Sequence, residues 1–158
     1  MRSRRVAREA ALQALYQCES LDHWDSPGVE EHFSAFHPTQ EGENEADRNE
    51  NAIFSKRLAL GVIENRELLD TKIQSASAKW SVNRMTRVDR NILRMATYEL
   101  IFLPKNPRNV VFNEAIEIAK RFGTDDSHAF INGILDRVAK EVPVPNSVTT
   151  DGISSRNY

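Results

Sequence analysis

The chain has 158 residues, of which 40% are hydrophobic and 28% charged, and its formal net charge is −2 at pH 7. This length predicts one domain with a hydrophobic core of its own. The single cysteine, Cys18, excludes an intramolecular disulfide framework, and no apolar run approaches the roughly 20 residues of a membrane-spanning helix. No hydrophobic signal-peptide core follows the basic N-terminus, so we expect a cytoplasmic protein.

Charge is unevenly distributed along the chain. The stretch 19–50 carries ten acidic residues and one base, whereas the remainder carries 20 bases and 13 acids. A basic body with an acidic insert indicates a polyanionic partner, with an ordinary solvated surface as the alternative.

Apolar residues recur at helical spacing, which predicts an all-α domain of six or seven helices. The first helix covers about residues 4–20. A second begins at Ser26-Pro27, an N-cap followed by proline, and ends near residue 36. Residues 37–48 are rich in Glu and Asn and poor in apolar side chains, so we expect a mobile insert there.

The rest of the chain is also predicted to be helical. A long segment covers about 50–78, with a break near Glu64-Asn65. Further helices are predicted over about 86–102, 109–122 and 125–140. Gly123 is expected to end the second of these three. We expect the domain to cover residues 1–141 and the Pro- and Ser-rich tail, 142–158, to be disordered.

The first helix is predicted to have one small-residue face, which includes Cys18 as a buried side chain, and one polar face. The polar face and its flanks carry Arg2, Arg4, Arg5, Arg8, Gln13 and Tyr16. Arginine forks suit phosphates, tyrosine offers a stacking surface and glutamine reads base edges, a combination that suits single-stranded RNA. The alternative is a solvated arginine tail with Tyr16 half-packed against a neighbour. Arginines near a helix N-terminus oppose its dipole, which slightly favours a binding role.

The helix over 86–102 places Glu99 near the centre of its apolar arc. We expect a structural buried acid that is hydrogen-bonded to another helix. Asp89 is expected at the rim of the arc, and Arg94 outside it and available to solvent or a ligand. On the next helix, Glu117 and Arg121 are predicted to form an i,i+4 pair on a solvated face, with a protein-contact surface as the alternative.

The stretch RFGTDDSHAFING, residues 121–133, resembles hydrolytic chemistry at first sight. Ser127 and His128 are neighbours on a helix, however, so their side chains diverge by about 100° and are poorly placed to act as nucleophile and base. Thr124 or Asp125 is the predicted N-cap. Asp126 and Phe130, one turn apart, are expected together at the rim of the core. We predict neither a catalytic residue nor a metal or cofactor site.

Three stretches resemble the NusB family of bacterial antitermination factors in order and spacing. They are RRVAREAALQALYQCE, RVDRNILRMATYEL and NEAIEIAKRFGTDDSHAFINGILDRVA. The resemblance implies an all-helical bundle of two small subdomains and a non-enzymatic adaptor. It implies binding of boxA-type single-stranded RNA together with NusE, a small-subunit ribosomal protein. It also implies that the protein, with other Nus factors, helps RNA polymerase to read through terminators, notably in ribosomal RNA operons. A protein-only scaffold that meets NusE or polymerase without touching RNA is the alternative.

The resemblance also implies roles for particular residues. The basic motif falls on Arg4, Arg5 and Arg8, and the helix-one contacts on Gln13 and Tyr16. The acidic and aromatic rim positions fall on Asp89, Asp126 and Phe130. The NusE surface falls on Asp89, Arg94 and Tyr98. Some relatives self-associate through the RNA-binding side, so a homodimer is a further expectation.

This sequence departs from the family pattern in two places. Val6 interrupts the basic motif, which predicts fewer phosphate contacts. The insert over about 22–50 is longer and more acidic than the family leads us to expect. Because an acidic loop repels RNA, we expect it to lie away from the RNA path.

Overall fold

A computed structural model describes residues 4–35, 42 and 44–143. The helices are α1 (Arg5–Leu21), α2 (Ser26–Ala35), α3 (Glu45–Glu64), α4 (Arg66–Ala76), α5 (Arg87–Phe102), α6 (Arg108–Phe122) and α7 (Ser127–Lys140), with a 3-10 turn at Val82–Arg84 between α4 and α5. The prediction of an all-α bundle is confirmed. Arg2, half of the predicted mobile insert (residues 37–41 and 43) and the tail after residue 143 lie outside the described residues.

Helix α3 begins earlier than the composition predicts. The side chain of Asn44 accepts a hydrogen bond of 2.8 Å from the backbone N–H of Asp47, which caps the helix. Glu45 and Asp47 place negative charge in the first turn, where the helix dipole favours it. The prediction of a loop through residue 48 was therefore wrong from Glu45 onward, because capping outweighs low apolar content there.

Two other helix starts also differ from the predicted caps. At α2 it is Asp25, not Ser26, whose carboxylate accepts from the N–H of Gly28, at 2.8 Å. At α7 the residue before the helix is Asp126, and its side chain makes no cap hydrogen bond. The predicted break in the long segment is confirmed at Asn65, whose amide donates to the Gly61 carbonyl at 2.8 Å.

Helix α5 is the central element of the bundle. It packs against α1, α3, α4, α6 and α7, while α2 packs on α1 and α3. Every residue from Asn91 to Leu100 is buried, so α5 joins a group formed by α1–α3 to one formed by α4, α6 and α7. The small-residue face of α1 is buried as predicted, including Cys18. Within the described residues, no helix is long and apolar enough to cross a bilayer.

Candidate nucleic-acid interface

The outer face of α1 carries exposed polar and aromatic side chains. Gln13 and Gln17 are exposed, and Tyr16 is 43% exposed. Arg4, just before the helix, is also exposed, and its guanidinium carbon lies 4.3 Å from the centre of the Phe54 ring. The structure thus brings two amides and one ring to the same helix face, as the sequence predicts, while Arg4 lies just before the helix and over Phe54.

A groove of about 650 Å³ runs beside Tyr16. It is lined by Leu12, Gln13, Tyr16, Gln17, Ser20, Leu21, His32, Val88 and Phe122. Apolar side chains and two amides therefore meet in one concave surface, at the place where α1 approaches the beginning of α5 and the end of α6. Such a surface can receive a planar ring while amides at its edge accept or donate hydrogen bonds.

Arg5 is held by a carboxylate of α6. Its Nε and Nη2 atoms donate to the two oxygens of Glu114 at 3.0 and 2.7 Å. The Arg5 side chain remains 43% exposed, whereas that of Glu114 is 14% exposed. The hydrogen bond from Arg5 lowers the pKa of Glu114 below its usual range, against the opposing effect of burial. A phosphate that approaches Arg5 therefore meets a guanidinium whose charge is already partly neutralised.

Arg8 does not lie on an exposed flank. Only 6% of its side chain is exposed, and it donates to both oxygens of Glu99 at 2.8 and 2.7 Å. Asn106 donates to the same carboxylate at 3.1 Å. The prediction that Glu99 is a buried acid bound to another helix is confirmed, and it accounts for the correction at Arg8. The structure does not support a phosphate contact for Arg8, because this guanidinium is buried against α5.

Glu9 and Arg121 form another pair between α1 and α6. Arg121 donates to both Glu9 oxygens at 3.1 Å, and Glu9 is buried although the helical periodicity places it on the polar face. Glu117 instead contacts Lys120, at 3.3 Å. The predicted pairing of Glu117 with Arg121 is therefore corrected, because a partner on α1 takes the arginine.

The turn between α6 and α7 depends on close packing at Gly123. A Cβ at this position would lie 2.4 Å from the Ser127 hydroxyl and 2.8 Å from the Ala119 carbonyl. The same hydroxyl accepts from the backbone N–H of Thr124 at 2.9 Å. Ser127 is thus buried in a local turn contact.

At the beginning of α7, Asp126 is exposed and Phe130 is half-buried against the core. Asp126 accepts the first helical hydrogen bond, from the N–H of Phe130 at 3.1 Å. The two residues are one turn apart at the surface, as predicted.

The three residues expected on a partner surface are all buried. Arg94 makes two hydrogen bonds to Asp70 at 2.7 and 2.9 Å, so the prediction that it faces solvent was wrong. Tyr98 stacks on Phe102, with ring centres 5.0 Å apart. Asp89 is 8% exposed, and its Oδ1 has no hydrogen-bond partner among the described residues. Burial on α5 thus removes Arg94 and Tyr98 from the exposed surface, and Asp89 lies deeper than the expected rim.

Two carboxylates that the sequence pattern does not mark, Glu114 and Glu19, hold arginines in this region. Glu114 pairs with a residue 109 positions away, and Glu19 forms ion pairs with Arg87, Arg90 and Arg94 of α5. Neither carboxylate interrupts the apolar periodicity of its helix, so the sequence of that helix does not indicate that it forms an ion pair with another helix. Both carboxylates lie where α1 meets another helix.

Comparison with known proteins identifies the family. The NusB family profile matches residues 5–140. "Transcription antitermination protein NusB" of Geotalea uraniireducens is 45% identical over 151 residues, covering 90% of this chain and 98% of the relative. Its namesake in Myxococcus xanthus is 40% identical over 145 residues, covering 92% and 100%.

Solved structures agree with this fold. NusB of T. maritima superimposes with a TM-score of 0.73 at 41% identity, covering 90% of this chain and 94% of the other. A crystal structure of the antitermination factors NusB and NusE in complex with dsRNA gives a TM-score of 0.69 at 25% identity, covering 87% and 96%. The chain belongs to the NusB family.

Proposed function

We propose that this chain is a transcription antitermination factor that binds boxA-type single-stranded RNA together with NusE. In this role it helps RNA polymerase, with other Nus factors, to read through terminators, notably in ribosomal RNA operons. The observation that carries the proposal is the exposed face of α1, where Tyr16 and Gln13 line one groove, on a helix whose N-terminal end carries the accessible cations Arg4 and Arg5. Family relatives named for antitermination, and a relative crystallised with NusE and RNA, support the same assignment.

Each exposed residue has a physical role in this proposal. Arg4 and Arg5 neutralise phosphates, and Gln13 contacts a base edge. Tyr16 supplies a stacking surface, since its ring is 43% exposed on the wall of the groove. Phe130 provides a second apolar contact at the beginning of α7. Arg8 has no direct role; it orients α1 by its pair with Glu99.

The proposed RNA-binding surface includes a carboxylate, that of Asp126. Asp126 is exposed next to the first turn of α7, and it is able to accept a hydrogen bond from a base amino group, as carboxylates do with cytosine. Because the carboxylate also repels phosphates, it favours an RNA orientation in which a base, and not the backbone, lies next to Asp126. Asp89 is not given a direct contact with NusE or RNA, because it is 8% exposed and its Oδ1 is buried without a hydrogen-bond partner among the described residues.

A gel-shift titration with a boxA oligonucleotide, with and without NusE, tests the proposal. We expect binding that weakens as salt rises, because phosphate contacts release counterions, and that tightens when NusE is present. Tyr16→Ala should weaken binding about fivefold or more, the loss expected for one base stack, whereas Tyr16→Phe should retain most of the affinity. Wild-type binding that is absent at low salt with NusE present contradicts the proposal.

A protein-only scaffold is the second candidate function. The specific observation in its favour is that Arg5 and Arg8 already pair with carboxylates, which lowers the positive potential of α1. Ultraviolet crosslinking of Tyr16 to RNA in the ternary complex with NusE separates the two. A crosslink at Tyr16 supports direct RNA contact, and its absence beside a stable complex supports the scaffold.

A further inference from the structure

The connection between α4 and α5 is a basic segment with an exposed tryptophan. Residues 77–86 contain two bases, Lys79 and Arg84, and no acid, and Arg87 follows as the first residue of α5. Trp80 is 48% exposed, and the guanidinium carbon of Arg84 lies 5.6 Å from the centre of its ring. Lys79 and Arg87 are also exposed. In a chain whose net charge is −2, this is a local concentration of positive charge around a large ring, and the roles proposed above do not use it.

Hydrogen bonds hold this connection in a defined conformation. The side chain of Gln74 spans it: Oε1 accepts from the N–H of Val82 at 2.9 Å, and Nε2 donates to the carbonyl of Ser77 at 3.0 Å. The Ser77 hydroxyl donates to the carbonyl of Trp80 at 2.7 Å. The backbone that carries Trp80 is therefore ordered before any ligand binds, which lowers the entropy cost of binding.

Two arginines of α5 join this connection to the Tyr16 face of α1. Arg90 donates to the carbonyl of Met85 at 2.6 Å and forms an ion pair with Glu19 of α1. Arg87 lies 3.7 Å from the same Glu19 carboxylate, and its guanidinium carbon is 5.9 Å from the centre of the Tyr16 ring. Glu19 thus pairs with both arginines, and Arg87, which directly follows the connection in the chain, lies beside the Tyr16 ring.

We propose that residues 79–87 form a second RNA-contact surface, which binds single-stranded nucleotides that flank the segment held on α1. One base stacks on Trp80, while Lys79 and Arg84 neutralise neighbouring phosphates. The proposal rests on the RNA-binding function proposed above and extends its contact surface. An acidic protein surface would meet the same cations, but the continuity with Tyr16 and the cation beside each ring favour a strand that continues from α1.

Fluorescence anisotropy of the full chain without NusE tests this surface. One labelled RNA carries only the boxA core, and a second carries the same core with about 8 unstructured nucleotides on each side, within the site sizes of single-strand binders. We expect wild type to bind the extended RNA more tightly than the core. Trp80→Ala should lose at least about fivefold of the affinity for the extended RNA and leave that for the core unchanged.

Two further variants separate stacking from charge. Trp80→Phe should retain most of the affinity for the extended RNA, since a ring is still presented. The double variant Lys79→Gln/Arg84→Gln should reduce the salt slope for the extended RNA by about two and leave the slope for the core unaltered. Phe102→Ala is the control, because Phe102 is an exposed ring, 38% accessible, at the other end of α5; it should bind both RNAs as wild type does.

The outcomes distinguish this surface from the function on which it rests. If wild type binds the core but Trp80→Ala binds both RNAs as wild type does, the second surface is refuted and the proposed function stands. Loss of affinity for NusE with unchanged RNA affinity would assign the tryptophan to a protein contact and also refute it. If wild type binds neither RNA, the proposed function fails and the second surface fails with it.

Discussion

Arg8 and Glu99, 91 residues apart in sequence, form a bidentate ion pair in the interior of the bundle. Their side chains are 6% and 2% exposed, and Asn106 donates a further hydrogen bond to the carboxylate. Two charges can be buried at this depth only because each satisfies the other. The pair joins α1 to α5, so it fixes the helix that carries the proposed RNA surface.

Removing one member of this pair should be costly. Arg8→Ala leaves the Glu99 carboxylate buried without its main partner, and we expect a loss of about 3–5 kcal/mol in the free energy of unfolding, measured by urea denaturation. The double variant Arg8→Met/Glu99→Leu should lose much less, because it replaces both charges with apolar groups of similar volume. A loss below about 1 kcal/mol for Arg8→Ala would contradict a buried pair and match an exposed one.

Arg5→Ala should affect RNA affinity more than stability, in contrast to Arg8→Ala. Its pair with Glu114 is partly exposed, so we expect at most about 1 kcal/mol of lost stability. Affinity for boxA RNA should fall and the slope of log affinity against log salt should decrease by about one, because one phosphate contact is lost. The control Lys140→Ala removes the same charge at the C-terminal end of α7 and should leave both values unchanged. An unaltered slope in Arg5→Ala would remove Arg5 from the phosphate contacts.

Glu114 should make stability depend on pH in a defined direction. The hydrogen bond from Arg5 depresses the pKa of Glu114 below its ordinary value of 4.5. A depressed carboxyl pKa stabilises the fold above the unfolded-state value, and this contribution is lost as pH falls through the folded-state value. Urea denaturation at several pH values should therefore show wild type more stable than Glu114→Gln at pH 7, with the difference shrinking below pH 4.5. If the stability difference between wild type and Glu114→Gln grows as the pH falls, the predicted effect of the Arg5–Glu114 pair is contradicted.

The helices were predictable because their signals are local. Spacing of apolar residues predicts α5, and the side chain of Thr86 does accept from the N–H of Asp89 at 3.1 Å to begin it. The small residues of α1 predict a buried face, and the structure buries it. The start of α3 was predicted too late in the chain, because Asn44 caps this helix in a stretch of low apolar content.

The candidate site was only partly predictable, because a helical wheel assigns a side chain to a face but does not show what covers that face. Tyr16 and Gln13 are on the outer face and are exposed as expected. Arg8, Arg94 and Glu9 are polar and were expected outside, yet each is buried by a partner of opposite charge on another helix. The long stems of arginine allow such pairs to form inside a bundle, and only the tertiary structure shows which arginines remain for a ligand.

The close approach of α3 to α5 at Gly61 gives a last prediction. A Cβ on Gly61 would lie 2.2 Å from the Cζ atom of Tyr98, and that ring is 8% exposed and stacked on Phe102. Gly61→Ala should therefore destabilise by about 1–3 kcal/mol despite the better helix propensity of alanine, because the ring has little room to move.

Gly133→Ala is the matched control for this substitution. Gly133 lies within α7, and nothing lies within 4 Å of a Cβ built there, so alanine should stabilise by up to about 1 kcal/mol. In a Tyr98→Ala background the cost of Gly61→Ala should disappear, since the obstructing ring is gone, and a double-mutant cycle by urea denaturation measures this coupling. Equal effects of Gly61→Ala with and without the ring would mean that Tyr98 does not set the distance between α3 and α5.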